Sequence, residues 1–508
     1  MRSGTTPGLL ADMPFERYRE IIPDWSQFID ASCRPEPTTI RVRTGRIESD
    51  HLLARLERQG YRLAPLDGQP DFFRVETGPR SIAQTLEHWL GLLYVQRAST
   101  GLAAPILAPK PGERVLDLCA APGGKTTHIA DLMQDRGPLV AVEPHEGRIR
   151  ALAGNVYRTA HVNVLTVAAD GRFFPGGALF DRVLVDAPCS AEGTVRAGKG
   201  RVRPRREGYR DYIVKLQEEL LRRAIDLTRP GGTVLYSTCT FAPEENEAVV
   251  DAVLRDGPVE IEPVLLDVPS SAGLTSFGAF RFDPRLERAV RMYPHHLDSG
   301  GLFLAKLRKT AGSDIANGPD PEAGWSPVPR TLIADASAGG DRPRDEERLA
   351  AVRAALGDVW QVDSRGLEGV DWLLRGDHAW VHGCREWPFE AWAGHRGWKS
   401  VSVGLRGFGF DTGDLPRPTN DLLRWLGGYL TGRAVDLPAG QWPQLLRREP
   451  VQVEGISDGY VALRLSGLPA GRGFVRAGQV RHEIPGVHAR LLHRILDPEP
   501  DTGSHSGD

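Results

Sequence analysis

The chain predicts an α/β protein, with a doubly wound, Rossmann-like central domain between a small α+β segment and a β-rich region. Three observations carry that expectation. Between residues 81 and 310, short apolar runs of strand length alternate with stretches of helical periodicity, the pattern of parallel strands joined by crossover helices. A glycine turn, Cys119-Ala120-Ala121-Pro122-Gly123-Gly124-Lys125, follows the first of those runs. Beyond residue 346 the pattern changes to many short strand-like runs separated by glycine and proline.

The elements follow in order. Residues 13–80 combine a helical stretch over 15–31 with an alternating segment, Thr39-Ile40-Arg41-Val42-Arg43, and are read as an N-terminal α+β subdomain. The first twelve residues carry no pattern, so Met13 is an alternative start. Strands of the central domain are placed at 115–118, 139–143, 164–168, 183–186 and 234–237. Residues 311–345, rich in Gly, Pro, Ala, Ser and Asp, read as a linker. The region 346–496 holds one or two small β-rich domains, with Gly459-Tyr460-Val461-Ala462-Leu463-Arg464-Leu465 as a typical strand. Residues 497–508 read as a disordered polar tail.

Composition narrows the class. At 508 residues the chain exceeds one ordinary core. Lys+Arg of 63 against Asp+Glu of 66 says nothing either way about nucleic acid. Five cysteines at scattered spacings suit a reducing cytosol and leave free thiols for chemistry. No signal pattern or bilayer-length apolar run is visible, which points to the cytoplasm. No His/Cys cluster has metal-ligand spacing, so no metal is expected.

The glycine turn comes first chemically. A strand, this turn and then a helix from about residue 126 put backbone N–H groups where a polar ligand can sit, and Gly123 and Gly124 permit close approach. Glu143 ends the second strand and suits ribose hydroxyls; Asp170 follows the third strand, and Asp186 ends the fourth. Any one of these acids could be a helix cap. Together they describe a site for a nucleoside-containing cofactor. The rival is a P-loop-like NTPase, since Gly124-Lys125-Thr126 resembles the end of a phosphate loop. That motif needs a glycine at the position of Cys119, and it fails there.

Two further cysteines sit in tight motifs after strands, in Asp186-Ala187-Pro188-Cys189-Ser190 and Ser237-Thr238-Cys239-Thr240-Phe241. Two thiols beside a nucleotide-type turn suggest thiolate addition to a pyrimidine ring followed by methyl transfer. Carbon 5 of cytosine is a poor nucleophile; a thiolate adding to carbon 6 makes it an enamine carbon that accepts a methyl group. Most free cysteines are simply small buried hydrophobes, and the thiol of Cys119 is read that way, with only its backbone assigned to the cofactor.

These motifs resemble the Sun/nucleolar-protein family of RNA (cytosine-5) methyltransferases. The resemblance runs through Arg41-Val42-Arg43-Thr44, Leu93-Tyr94-Val95-Gln96 and residues 115–129, 186–194 and 230–250. It closes with Met292-Tyr293-Pro294-His295-His296 and Gly301-Leu302-Phe303-Leu304-Ala305, covering roughly residues 13–310. It implies an S-adenosylmethionine-dependent methyltransferase core in which Cys239 attacks the ring and Cys189 assists product release. Asp186 would contact the cytosine edge, and residues 119–125, Glu143 and Asp170 would hold the cofactor, with Lys125 reaching toward Asp186 and the base. From the residues alone either thiol could be the nucleophile. Two positions depart from the family pattern: Ala191, where glycine usually follows Pro-Cys-Ser, and Arg43, where asparagine is common. These departures bear on loop conformation or substrate fit. Gly467-Leu468-Pro469 through Arg481-His482-Glu483-Ile484-Pro485 is similar to the PUA-like, RNA-binding end of the bacterial small-subunit rRNA methyltransferase F type.

From Arg196 to Arg206 the chain carries six basic residues and no acid, a segment suited to steering phosphates toward Cys189. The helix over 212–227 reads as structural. Trp372, Trp380, Trp387, Trp392 and Trp398 could stack on bases, but scattered through a β-rich region they read as core. Glu244, Glu245 and Glu247 read as first-turn acids of a helix, and Asn246 as a support for the Cys239 loop. His295 and His296 have no argued role as a base for Cys239. The expected function is methylation of RNA cytosine, with rRNA favoured over tRNA through the C-terminal resemblance, by a monomer without membrane attachment.

Overall fold

The computed structural model describes residues 15–196, 206, 208–310, 325–328, 342–388, 392, 395–410 and 416–497. Most of the basic segment (197–205), the expected linker apart from 325–328 and 342–345, and the tail after 497 lie outside the described residues.

Strands β1 (Thr39–Val42), β2 (Arg62–Leu66), β3 (Gln69–Thr77) and β4 (Leu93–Val95) form an antiparallel sheet in the order β2-β3-β1-β4. The single helix expected over 15–31 is two pieces, a 3-10 turn at Glu16–Tyr18 and a helix at Trp25–Cys33. Pro23 has no N–H for a continuous helix, and Asp24 at φ 49° turns the chain.

The central sheet carries five parallel strands, β5 (Val115–Asp117), β6 (Leu139–Val142), β7 (Val164–Ala169), β8 (Phe180–Asp186) and β9 (Thr228–Thr238). Their order, β7-β6-β5-β8-β9, reverses at β5, the switch point where a doubly wound sheet opens its carboxyl edge to ligands. Leu302–Lys309 continues the sheet antiparallel to β9. At the far edge Trp398–Val403 pairs antiparallel with β7, so the region after the expected linker supplies a strand to the central sheet.

The C-terminal region adds a two-stranded pairing of Ser326–Pro327 with Glu386–Trp387, a sheet of four strands, and one of five built on the hairpin Gly459–Leu465 and Leu468–Arg476. The five-stranded sheet shares a hydrophobic core with the N-terminal one: Ile40, Val42 and Leu93 belong to the same buried cluster as Val461, Leu463 and Val475. Trp372, Trp380, Trp387 and Trp392 are buried and Trp398 partly so, as core residues should be.

β1 is covered on both faces, and its arginines explain how. Arg43 donates to Asp131 (2.7 Å), Asp135 (2.6 Å) and the Thr159 carbonyl (2.8 Å). Arg41 pairs with Asp131 and reaches Thr127 Oγ1 at 2.8 Å. Arg43 therefore ties the N-terminal sheet to the central domain and has no place in a substrate loop. Burial alone would raise the Asp135 carboxyl, but Arg43 and His161 (2.6 Å) outweigh it and hold it below the usual range. Its contribution is thus fully present above the ordinary Asp pKa of about 3.9 and is lost as pH falls below it. Arg43→Ala, which leaves Asp131 to Arg41 and Asp135 to His161, should cost about 3 kcal/mol in urea unfolding at neutral pH.

Candidate active site

The carboxyl ends of β5 to β9 build the site. After β5 the chain turns through Gly123 at φ 106°, where a Cβ would also lie 3.1 Å from Leu152 Cδ1, and enters helix Gly124–Leu132. Buried Asp117 ends β5; its Oδ2 accepts from Thr126 Oγ1 (2.7 Å), its Oδ1 has no partner, and burial pushes its carboxyl up to about 7. Sequence reasoning passes over Asp117; the available signal is an acid inside an apolar strand. Buried Glu143 follows β6, accepts from the His145 N–H (3.0 Å) and pairs with Arg148 at 3.1 Å. Arg148 also donates to the Ala121 carbonyl (2.7 Å), stapling the glycine turn to the end of β6. Asp170 reaches the same edge, but Arg172 forks its carboxylate (2.7 Å) and its backbone N–H is capped by it, so the capping explanation accounts for its contacts. The Cys119 thiol is raised by burial, consistent with a structural side chain. An unpartnered buried carboxylate oxygen, a second buried carboxylate and a side-chain-free turn at a helix start fit a cationic, ribose-bearing cofactor.

The thiols meet at the next two strand ends. Asp186 lies opposite Ser237 in the β8–β9 register, and the Ala187 N–H bonds the Ser237 carbonyl (2.9 Å). Leaving the sheet at one level, the two loops bring Cys189 Sγ and Cys239 Sγ to 3.3 Å, both as free half-buried thiols. Lys125 Nζ sits 2.6 Å from Asp186 Oδ2, and Ser237 Oγ donates to Asp186 Oδ1 at 3.2 Å. The structure therefore brings Lys125, Asp186, Cys189 and Cys239 together. The Cys189 hydrogen bond lowers the Cys239 pKa, helped by Lys125 and Arg97 against burial and Asp186. The same bond, with desolvation, holds the Cys189 thiol well above the ordinary range. The shared hydrogen bond thus favours ionisation of Cys239 over Cys189, a distinction that no sequence spacing reveals.

Buried acids fix these loops. The helix after Cys239 starts only at Glu247, so Glu244 and Glu245 are not in its first turn as expected. Glu245 is fully buried and accepts from the Ser190 N–H (2.8 Å) and Gln217 Nε2 (3.1 Å). Gln217, on helix Tyr209–Leu227, also donates to the Pro188 carbonyl (2.8 Å), a role the alternating charges of that helix conceal. Glu247 forms a buried pair with Arg291, which donates onward to the Phe241 carbonyl (2.9 Å). Asn246 accepts from Thr238 Oγ1 (2.6 Å) and donates to the Thr240 carbonyl (3.0 Å), ordering the Cys239 loop. Gly193 donates to the Cys239 carbonyl (2.8 Å), and a Cβ there would lie 2.7 Å from that oxygen. Arg196, first of the basic segment, is buried among the Arg34 and Pro35 carbonyls and Asp298 (2.7 Å), so it is a structural clamp and does not face RNA. Arg206 is exposed, and 197–205 lie outside the described residues. Among the described residues no histidine is hydrogen-bonded to either thiol; His296 instead accepts from the Tyr293 N–H (3.3 Å).

Two outcomes follow from this geometry. Cys189→Ala should move the pH midpoint of Cys239 alkylation by iodoacetamide, followed by peptide mass spectrometry, to higher pH. Ala191 sits at φ 60°, which explains why glycine suits that position. Ala191→Gly should therefore raise stability by about 0.5–1 kcal/mol in the same unfolding assay.

The family model described as 16S rRNA methyltransferase RsmB/F matches residues 104–308. The chain is 36% identical over 365 residues to ribosomal RNA small subunit methyltransferase F of Erwinia tasmaniensis, covering 68% of this chain and 71% of that protein. It is 35% identical over 360 residues to the 28S rRNA (cytosine-C(5))-methyltransferase of Mus musculus, covering 68% of this chain but only 44% of the mouse protein. Among solved structures, a methyltransferase homolog protein from Pyrococcus horikoshii superposes with a TM-score of 0.53 at 30% identity, over 60% of this chain and 99% of that one. With its doubly wound sheet and paired thiols at the β8 and β9 ends, the chain belongs to the RNA (cytosine-C5)-methyltransferase family.

Proposed function

We propose that this chain is an S-adenosylmethionine-dependent RNA (cytosine-5) methyltransferase that acts on rRNA, with Cys239 as nucleophile. The observation that carries the reading is the 3.3 Å thiol pair beside the Lys125–Asp186 ion pair at the carboxyl edge. Bound at the glycine turn, S-adenosylmethionine supplies an electrophilic methyl group. Asp117, Glu143 and the turn would hold it, with Asp170 nearby once Arg172 moves aside.

The chain's own residues do the rest. The target cytosine must leave its stack, because carbon 6 is shielded within a helix. Cys239 Sγ forms a bond to carbon 6, and the electron pair displaced toward ring nitrogen 3 meets a proton or hydrogen bond from the Lys125–Asp186 pair. Carbon 5, now nucleophilic, takes the methyl group. Cys189 was held protonated by its bond to Cys239; once that sulfur is bonded to carbon, the anionic neighbour is gone and Cys189 is freed to ionise. Having passed its proton to solvent, Cys189 as thiolate removes the carbon 5 proton. That C–H pair forms the C5–C6 double bond, the S–C6 pair leaves on sulfur as the Cys239 thiolate, and any proton held at nitrogen 3 returns to the Lys125–Asp186 pair. The resemblance of the C-terminal region supports rRNA over tRNA; relatives of both kinds exist, the Erwinia and mouse proteins being named for rRNA and one from Pyrococcus abyssi, 32% identical, for tRNA. We place the protein in the cytoplasm; no described helix is long and apolar enough to cross a membrane.

The test is transfer of labelled methyl groups to unmodified small ribosomal subunits, free rRNA and tRNA in parallel. Label should appear as 5-methylcytosine in the ribosomal substrates and fall to background in Cys239→Ala. Cys189→Ala should accumulate a protein–RNA adduct that survives denaturing electrophoresis. Label in tRNA alone overturns the substrate, and label that persists in Cys239→Ala overturns the nucleophile.

A further inference from the structure

All five cysteines are free thiols, and one differs from the rest. Burial raises the thiols of Cys33, Cys119 and Cys384, and the bond to Cys239 raises that of Cys189. Cys239 alone is lowered, so it is the thiol that ionises first and the first to react with an oxidant. Reversible oxidation also needs a second thiol within reach to resolve the product. Cys189 Sγ stands 3.3 Å from Cys239 Sγ, and the Cys239 backbone N–H also donates to that Cys189 sulfur. A disulfide is about 2.0 Å long, so the two sulfurs must close by about 1.3 Å. Rotation about the two Cα–Cβ bonds supplies such a movement while Glu245 on the Ser190 N–H and Asn246 on the Thr240 carbonyl hold the loop backbones. Both thiols are half-buried at the open carboxyl edge, where a molecule as small as a peroxide has access.

We propose that Cys189 and Cys239 form an oxidative modification site, a dithiol that hydrogen peroxide converts to a reversible disulfide. The Cys239 thiolate attacks one peroxide oxygen, the O–O bond breaks, and the displaced hydroxide takes up a proton to become water. Lys125 and Arg97, the cations that already act on Cys239, favour the departing hydroxide. Cys239 is then a sulfenic acid and no longer an anion, so Cys189 is freed to ionise. Its sulfur attacks the Cys239 sulfur; the S–S bond forms as the S–O bond breaks, and the oxygen leaves with the Cys189 proton as a second water. The thiol pair is oxidised by two electrons and the peroxide is reduced to water. In a reducing compartment such a bond is transient, and a small thiol restores the pair by exchange. While it lasts the thiolate is consumed and methyl transfer stops, a consequence that rests on Cys239 being the nucleophile.

Peptide mapping of the full chain tests the site. The reduced protein is treated with hydrogen peroxide under argon, remaining thiols are blocked with N-ethylmaleimide, and peptides are separated without reductant for mass spectrometry. A linked pair of Cys189 and Cys239 peptides is expected, with methyl transfer lost in step and restored by dithiothreitol. In Cys189→Ala, where nothing resolves the first product, dimedone should label Cys239 as the sulfenic acid, against background in the unaltered protein. Cys239 oxidised to the sulfinic acid with Cys189 still free, oxidation confined to the other three cysteines, or a linkage between any other two overturns the inference. A Cys189–Cys239 linkage with methyl transfer undiminished supports the modification site and overturns Cys239 as the nucleophile, so the two readings fail separately.

Discussion

The parallel register of β8 on β9 is the constraint on which the site depends. Cys189 and Cys239 are fifty residues apart in sequence, and nothing local draws them together. With Asp186 opposite Ser237, each chain leaves the sheet at the same height, and the loops that follow converge. A slip of one residue would turn every side chain of β9 to the other face and carry its exit along by about 3.3 Å, as far as the thiols now stand apart. A parallel pair also needs a crossover, and helix Tyr209–Leu227 is that crossover. Its Gln217 holds the Pro188 carbonyl, so the element that makes the pairing possible also positions the loop that the pairing creates.

Register alone would leave two flexible loops; the buried acids make them rigid. Isolated buried ion pairs are poor stabilisers, because desolvation offsets most of their attraction. The Glu247–Arg291 pair is better understood by where its remaining donor goes, to the Phe241 carbonyl two residues past Cys239. Glu245 plays the matching part for the Cys189 loop through the Ser190 N–H. Each thiol loop is thus held by a carboxylate from the segment just after Cys239, and the 3.3 Å contact is set by neighbours that never touch sulfur.

Sequence reasoning reached what depends on local pattern or rare chemistry. The five parallel strands show as apolar runs between turns, and Cys189, Cys239, Asp186 and Lys125 stand out because few folds need those types at strand ends. The misreadings share one cause: the partner lies far along the chain. Glu245 looks like a helix-start acid until Ser190, 55 residues earlier, is brought beside it. Arg43 looks like a departure in a loop until Asp131 and Asp135 surround it. Trp398–Val403 reads as part of a separate β-rich domain, and nothing in its own residues says that it will extend the central sheet at β7. The break at Pro23 is different, since its signal was local and the apolar spacing around it masked it.

The same distance effect governs electrostatics. Arg41, Arg43, Arg196 and Arg291 are all buried and engaged with acids or carbonyls, so a census of basic residues says little about the surface offered to RNA. Arg196 makes the point sharply, because it opens the most basic run of the sequence and yet points inward. What matters at the reacting edge is which cations stay near the thiols. Lys125 and Arg97 do, each tethered by one acid, Asp186 and Glu36. Both act to lower the Cys239 pKa while Cys189 donates to the same sulfur. A thiol whose pKa is lowered by fixed donors and cations on a half-buried edge keeps an accessible sulfur, whereas one enclosed more deeply would not. The tethering acids fix where those cations stand, so their pull on the sulfur is set by the fold.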